Sequence, residues 1–412
     1  MKYGLIGERL GHSFSKELHG MLADYEYELK EISKESLSDF MTEKEFTAIN
    51  VTIPYKEAVI PYLAYISEEA KAIGAVNTIV NRNGKLYGYN TDFYGMSALI
   101  DKMRIDLKGK KTVILGTGGT SKTAFAVARS RGADPIVTVS RTRRDEVIGY
   151  DDLYRDHLDA EIIINTTPVG MYPDNFSSPL DISDFKDLIG VIDAVYNPIR
   201  TKLVSDAIER GIAAEGGLYM LVAQGVYASE IFLDVKYPIE KLNKIFKKIL
   251  RKKENIVLIG MPASGKTTLS VLLASELSRC AVDTDKMIAD AEGKSISDIF
   301  SEEGEIVFRE YETREIANVS LQNNLVIATG GGAILNKENV KRLKQNGVLF
   351  FIDRPLEKLL PTLDRPLAKD LDAIKKRYEE RYDKYIDAAD FVIDADDMPT
   401  SVAKKIMGAF YK

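Results

Sequence analysis

Residues Gly260-Met261-Pro262-Ala263-Ser264-Gly265-Lys266-Thr267-Thr268 have the spacing G-x-x-x-x-G-K-T. An apolar run, Asn255-Ile256-Val257-Leu258-Ile259, precedes them and a helix-like stretch over 268–277 follows. That strand–loop–helix order is the setting in which a phosphate-binding loop works. Backbone N–H groups of such a loop, at a helix N-terminus, point at phosphate oxygens. Gly260, Ser264, Gly265 and Thr268 would frame the phosphates of ATP, Lys266 would reach the β/γ end, and the Thr267 hydroxyl would ligate Mg²⁺. A plain glycine turn is the alternative reading. The next apolar run closes on Val282-Asp283-Thr284-Asp285. Residues i and i+2 of a strand face the same way, so both carboxylates are expected beyond a strand's C-terminal end. Asp283 suits Mg²⁺ and Asp285 a hydroxyl of the phosphoryl acceptor. Helical spacing puts Arg309 and Glu312 on one face. Gly330-Gly331-Gly332 lets backbone approach a ligand, a turn being the alternative. Leu363-Asp364-Arg365-Pro366-Leu367 breaks a helix and suits a mobile lid carrying Arg365, and Arg381 falls in a helix over 370–387.

Two further clusters could do chemistry. Thr112-Val113-Ile114-Leu115 enters Gly116-Thr117-Gly118-Gly119-Thr120-Ser121-Lys122-Thr123-Ala124, a dinucleotide loop in which Ser121 stands where a third glycine belongs. The strand over 136–140 then ends on Arg141-Thr142-Arg143-Arg144 and not on an acidic residue. Cations there suit a 2′-phosphate, so NADP is expected over NAD, with Arg141 helped by Arg143 or Arg144. A solvated basic loop is the alternative. Nearer the N-terminus, Lys56 and Asp92 are a pair of the kind that moves a proton to a developing alkoxide, although a surface ion pair has the same composition. Ser15 is placed to cap the helix it opens, and Ser13 and Ser15 together could hold an anion.

The elements that must position these groups fall into separate domains. The 412 residues suggest two or three domains, at ~150 residues each. Residues 1–100 alternate strands over 3–6, 25–29, 47–51 and 78–80 with helices over 15–22, 34–41 and 55–63, an α/β substrate layer. Residues 101–217 form a Rossmann-type dinucleotide domain. Helices over 218–250 return to the first layer, 251–254 is a short linker, and 255–412 is a P-loop α/β domain with a parallel sheet. The helix over 240–253 carries Leu242, Ile245, Phe246, Ile249 and Leu250 as one stripe under a basic face. We read it as packing on the domains before it; a membrane-surface helix is the alternative. The net charge of −6 argues against nucleic acid, and one cysteine fits a reducing compartment. No apolar run approaches the ~18 residues of a membrane span, and the N-terminus turns polar too soon for a signal peptide. A cytoplasmic protein acting on small molecules is expected, as monomer or homodimer.

Two family resemblances, in tandem, cover nearly the whole chain. Residues 1–250 resemble shikimate dehydrogenase through Gly4-Leu5-Ile6-Gly7, His12-Ser13-Phe14-Ser15, Asn50–Lys56, Gly74-Ala75-Val76-Asn77-Thr78, Gly88–Asp92, Gly116–Ala124, Asn165-Thr166-Thr167-Pro168-Val169-Gly170-Met171 and Gln224. The resemblance implies that Ser13, Ser15, Thr52, Asn77, Tyr196 and Gln224 bind the substrate with Lys56 and Asp92 as the catalytic pair. It also implies that Gly116, Gly118, Gly119, Ala124, Ser140, Arg141, Thr142 and Arg144 bind NADP(H). Residues 255–412 are similar to shikimate kinase through the phosphate loop, Asp283-Thr284-Asp285, Phe308-Arg309, the triple glycine, Arg365-Pro366-Leu367 and Arg381. That likeness implies shikimate bound by Asp285, Arg309, Glu312, Gly330, Gly331, Gly332 and Arg381, Mg²⁺ held by Thr267 and Asp283, and catalysis by Lys266 and Arg365. The implied activities are consecutive: NADPH-dependent reduction of 3-dehydroshikimate, then phosphorylation of shikimate by Mg·ATP. A quinate/shikimate dehydrogenase of looser specificity, a kinase for another small polyol, or a catalytically dead half are the alternatives.

Overall fold

The long apolar runs become strands of three sheets, because a run without polar alternation is satisfied only where both faces are covered. The computed structural model describes residues 1–11, 14–144, 146–359 and 371–412. They divide into two units, Met1–Asn197 with Thr201–Lys248, and Pro198–Arg200 with Ile249–Lys412.

The first unit holds two sheets. One runs in the order Tyr27–Glu31, Tyr3–Gly7, Ala48–Val51, Thr78–Arg82, Lys85–Tyr89, Tyr65–Ile66; its first three strands are parallel and the hairpin after them is antiparallel. Neighbouring residues of a strand serve opposite faces. Ile6 and Ile49 join a core with Phe40 and Met41, while Leu5 and Ala48 meet Phe232 on the other side. The second sheet is parallel throughout: Ala213–Glu215, Gly190–Asp193, Ile162–Asn165, Thr112–Leu115, Ile136–Val139, Val147–Ile148. Helices Thr91–Met103 and Leu218–Leu233 pack closely at Gly95, where a Cβ would stand 2.7 Å from the Met220 carbonyl oxygen. That approach brings Asp92 and Gln224 to one cavity.

The second unit is a five-stranded parallel sheet in the order Cys280–Asp283, Leu325–Ala328, Asn255–Ile259, Gly347–Asp353, Phe391–Asp394. Val257, Ile259, Ile327, Leu349 and Phe351 fill the core on one face, and Ile256, Leu258, Val326, Phe350 and Ile352 that on the other. The helix Ile239–Lys253 precedes it with its apolar stripe buried, so residues 251–254 consist of the last helical turn and Glu254. No helix among the described residues is long and apolar enough to cross a membrane.

Three local expectations fail. Residues 55–63 are not an α-helix. Their hydrogen bonds are mostly of the short i to i+3 kind, as in Ile60 N to Glu57 O and Tyr62 N to Val59 O, and only Ile60–Tyr62 is a 3₁₀ turn; Pro61 offers no N–H to extend a helix. The strand Lys85–Tyr89 was hidden by Gly88, although Asn83-Gly84, both at positive φ, is a strong hairpin signal. Finally, Asp285 does not lie on a strand. Asp283 ends the strand and caps the helix Thr284–Glu292, its Oδ1 accepting from Asp285 N at 3.0 Å and Lys286 N at 3.4 Å.

His19, on the helix Ser15–Leu22, is buried beneath the first sheet, stacked on Tyr27 at 4.0 Å between ring centres, with Nδ1 2.5 Å from the Tyr25 hydroxyl. Burial lowers its pKa from 6.5 to about 3, against a smaller opposing effect of the Asn50 side chain. A base depressed on folding contributes stability above its unfolded pKa, which is lost as pH falls from about 6.5 toward 3. A tenfold change in proton affinity corresponds to about 1.4 kcal/mol. The melting temperature of the wild type should therefore fall between pH 7 and pH 5 more steeply than that of His19→Gln; parallel curves would contradict this assignment.

Candidate active sites

Ser15, Thr52, Lys56, Asn77, Asp92, Tyr196 and Gln224 all line one cavity of about 410 Å³ in the first unit. Lys56 follows the strand Ala48–Val51, and Asp92 sits in the first turn of Thr91–Met103, whose cap is the Asn90 side chain. Lys56 Nζ stands 2.6 Å from Asp92 Oδ2, and the two side chains remain 30% and 21% exposed. The pair is sheltered yet open to a ligand. Asn77 is fixed by its own oxygen, which accepts from Thr91 N at 2.7 Å and from the Thr78 hydroxyl at 3.0 Å. Its amide N–H groups are thereby turned to other partners. Ser15 begins its helix and does not cap it: the cap position is Phe14, whose carbonyl accepts from Leu18 N. Ser13 lies outside the described residues.

Sequence reasoning gave no role to Asn50, Arg9, Phe14 or Met220, which also line this cavity. Asn50 is held by Tyr27, whose hydroxyl donates to Oδ1 at 2.8 Å, and it donates in turn to Thr78 Oγ1 at 3.0 Å. Its place within Asn50–Lys56 was the available signal.

The glycine loop is built as its residues imply. Gly116 has φ +109°, and a Cβ there would meet Thr166 Oγ1 at 2.7 Å. Gly118 precedes the helix Gly119–Ser130, leaving N–H groups of that terminus for an anion. Ser121 fills the third glycine's place because its hydroxyl turns back to donate to Gly116 O at 2.7 Å. Ala124 is fully buried, as close helix–sheet packing requires. Ser140 Oγ accepts from Thr142 N at 3.3 Å, shaping the turn that bears the cations. Arg143 is paired with Asp152 at 2.7 Å, so Arg141 and Arg144, both exposed, are the better placed for an anionic ligand.

Between loop and cavity lies a buried carboxylate that sequence reading passed over. Asp193 Oδ1 accepts from Asn165 Nδ2 at 2.9 Å and Val195 N at 3.0 Å, and Oδ2 from the Thr201 hydroxyl at 2.7 Å. Asn165 in turn accepts from Thr167 N and Oγ1 at 3.0 and 2.7 Å. Burial pushes the Asp193 pKa up to about 6, and these hydrogen bonds oppose the shift. The network ties the turn beside Gly116 to Ala194 and Tyr196 in the cavity wall.

In the second unit, Asp285, Arg309, Glu312, Gly330, Gly331, Gly332 and Arg381 line a pocket of about 60 Å³, with Pro262, Ile296, Phe300 and Phe308 as its apolar walls. Arg309 bridges Glu312 at 2.8 Å and Glu305 at 3.0 Å, and its guanidinium lies over Gly332. Arg381 donates to Gly331 O at 3.0 Å. Burial raises the Glu312 pKa while Arg309 opposes it, and Glu312 Oε1 is buried without a hydrogen-bond partner among the described residues. A buried acceptor of this kind suits a ligand hydroxyl.

Gly260 and Gly265 both hold positive φ, +146° and +91°, in the loop that leads into the helix Lys266–Leu277. Lys266 Nζ donates to Gly260 O at 2.9 Å and Met261 O at 2.8 Å. The Thr267 hydroxyl donates to Asp283 Oδ2 at 2.7 Å. Two hard oxygen donors beside a phosphate loop fit Mg²⁺, whose remaining ligands are phosphate oxygens and water. Arg365, with the proposed lid over 363–367, lies outside the described residues.

Residues 5–79 match the substrate-binding domain of shikimate dehydrogenase, and residues 262–410 match shikimate kinase. A shikimate dehydrogenase (NADP(+)) of Clostridium perfringens is 38% identical over 252 residues, covering 57% of this chain and 93% of that protein. The chain belongs to the shikimate dehydrogenase family. A second dehydrogenase of that family, from Methanococcus maripaludis, is 34% identical and is matched over 96% of its length and 60% of this chain. Among solved structures, a chorismate mutase/shikimate 5-dehydrogenase fusion protein from Clostridium acetobutylicum superposes with a TM-score of 0.57 at 36% identity, over 60% of this chain and 96% of that one. The Thermus thermophilus shikimate 5-dehydrogenase in complex with NADP(H) and shikimate gives 0.54 at 26% identity, over 60% and 99%.

The kinase-like pocket is tight at Gly330, where a Cβ would stand 2.5 Å from Asp285 Oδ1 and 2.7 Å from Glu312 Oε1. Gly330→Ala should push two carboxylates out of place and destabilise the second unit by about 1–3 kcal/mol, the usual range for overpacking. Calorimetric unfolding measures it, and an unchanged profile would show that the pocket is looser than this.

Proposed function

We propose that the chain is a bifunctional shikimate-pathway enzyme. In its first unit 3-dehydroshikimate is reduced to shikimate with NADPH; in its second, shikimate is phosphorylated by Mg·ATP to shikimate 3-phosphate. The observation that carries this reading is the convergence of two residue sets, each on its own pocket: Lys56 and Asp92 with Thr52, Asn77, Tyr196 and Gln224, and Arg309 and Arg381 with Asp285 and Glu312.

In the reduction, Ser15, Thr52, Asn77, Tyr196 and Gln224 bind the substrate's carboxylate and hydroxyls. NADPH, when bound by the Gly116–Gly119 loop with Arg141 and Arg144 on its 2′-phosphate, supplies the hydride. The substrate carbonyl oxygen then gains negative charge. Lys56 Nζ stabilises that charge and gives up a proton to it, and Asp92 orients the ammonium. The Asp193 network holds the cofactor turn and Tyr196 in a fixed relation.

In phosphoryl transfer, alignment and charge neutralisation matter more than a strong base. Arg309 and Arg381 take the shikimate carboxylate, a bidentate role suited to guanidinium. Asp285 and Glu312 accept from its hydroxyls. Thr267 and Asp283 would hold Mg²⁺, and Lys266 would take the phosphates.

Lys56→Ala should lower kcat for dehydroshikimate by about 10²–10⁴, with little change in KM and no effect on phosphorylation. EDTA should stop phosphorylation and spare NADPH oxidation. A Lys56→Ala enzyme of near-normal kcat would move the chemistry elsewhere, and loss of both activities in EDTA would contradict two independent sites.

A further inference from the structure

Arg354 has no part in either mechanism above. It directly follows the strand Gly347–Asp353, which lies beside the central strand Asn255–Ile259 that leads into the phosphate loop. The loop is pressed against this neighbour: a Cβ on Gly260 would stand 2.9 Å from Ile352 O, and one on Gly265 would stand 3.9 Å from Arg354 Nη1. The guanidinium therefore borders the N–H groups at the start of the helix Lys266–Leu277. Its Nε is buried without a hydrogen-bond partner among the described residues. Acidic groups beside it in the sheet are engaged otherwise: Asp353 accepts from the Tyr382 hydroxyl at 3.0 Å, and Asp394, its partner in register, pairs with Lys405 at 3.1 Å. A guanidinium is always charged, and burying part of it beside an anion cradle, with no carboxylate paired to it among the described residues, is unfavourable unless an anion arrives.

Sheet order indicates which anion. Asp283 and Gly330–Gly332 follow the strands Cys280–Asp283 and Leu325–Ala328, on one side of the central strand. The acceptor pocket is on that side. Arg354 is on the other. In-line transfer sets the acceptor and the leaving group on opposite sides of the transferred phosphorus. We infer that Arg354 binds the ADP portion of the nucleotide through its α/β-phosphates, a contact that rests on the kinase reading.

Isothermal titration of the full chain with Mg·ADP, at saturating NADP⁺ to occupy the dinucleotide site, tests this directly. Arg354→Met should weaken Mg·ADP about ten- to hundredfold, the span of a lost charge-assisted hydrogen bond, and weaken Mg·pyrophosphate similarly. Arg354→Lys should recover part of the loss. In steady state the KM for ATP should rise and that for shikimate stay the same, which also reports an intact acceptor pocket. Mg·ADP binding unchanged in Arg354→Met would overturn the inference. So would a loss seen with adenosine but not with pyrophosphate, which would put the contact on the base. If instead the wild type neither binds Mg·ADP nor phosphorylates shikimate, while Lys266→Ala behaves like it, the kinase reading itself is what fails.

Discussion

A parallel strand buried on both faces can carry polar side chains only where it ends, and the chemistry of this protein is distributed by that constraint. Ile162–Asn165 and Gly190–Asp193 are apolar until their last residues, Asn165 and Asp193, which then hydrogen-bond each other. Cys280–Asp283, a partly exposed edge strand, also ends on the carboxylate that meets Thr267, and the buried strand Asn255–Ile259 runs straight into the phosphate loop. Reversing the apolar runs would leave these groups in the core without partners, at a cost of roughly 2–7 kcal/mol for each unpaired polar group. The sheets thus supply both the stability and the edge along which ligands must bind.

The two pockets solve their electrostatics differently. In the first pocket an ion pair, Lys56 with Asp92, is kept partly open to the cavity, so the ammonium can act without being stranded in apolar surroundings. The second pocket balances Arg309 and Arg381 against Asp285 and Glu312, with Arg309 held between Glu305 and Glu312. A substrate that carries one carboxylate and several hydroxyls meets both signs of charge there. Lys266 and Arg354 stand apart from this balance, at the phosphate loop, where the ligand itself brings the negative charge.

How much of this was legible follows from the range of each signal. The glycine loops and the all-apolar strands are local patterns with local causes, and they read correctly from sequence; Lys56 and Asp92, 36 residues apart, could be named as a candidate pair but not told from a surface ion pair. Asp285 was misplaced because Asp283 is a strand end and a helix cap at once, and the cap stops the strand two residues early. Residues 55–63 have helix-like composition, but Pro61 and short-range hydrogen bonds decide otherwise. Asp193 and Arg354 carry no motif at all, and Asn50 has only its place at the head of Asn50–Lys56. Their importance comes from neighbours distant in sequence, such as Thr201 and Asn165 around Asp193, or Gly265 beside Arg354. Only tertiary packing brings those groups together.

The central claim is that one chain performs two consecutive reactions. It is tested most directly by giving the purified full chain 3-dehydroshikimate, NADPH and Mg·ATP, and following NADPH absorbance together with phosphorus NMR. The account predicts that shikimate accumulates while ATP is withheld, and that adding Mg·ATP converts it to shikimate 3-phosphate in equal measure to the NADPH consumed. NADPH oxidation without any phosphorylated product, or phosphorylation of added shikimate by a chain that leaves NADPH untouched, would contradict it.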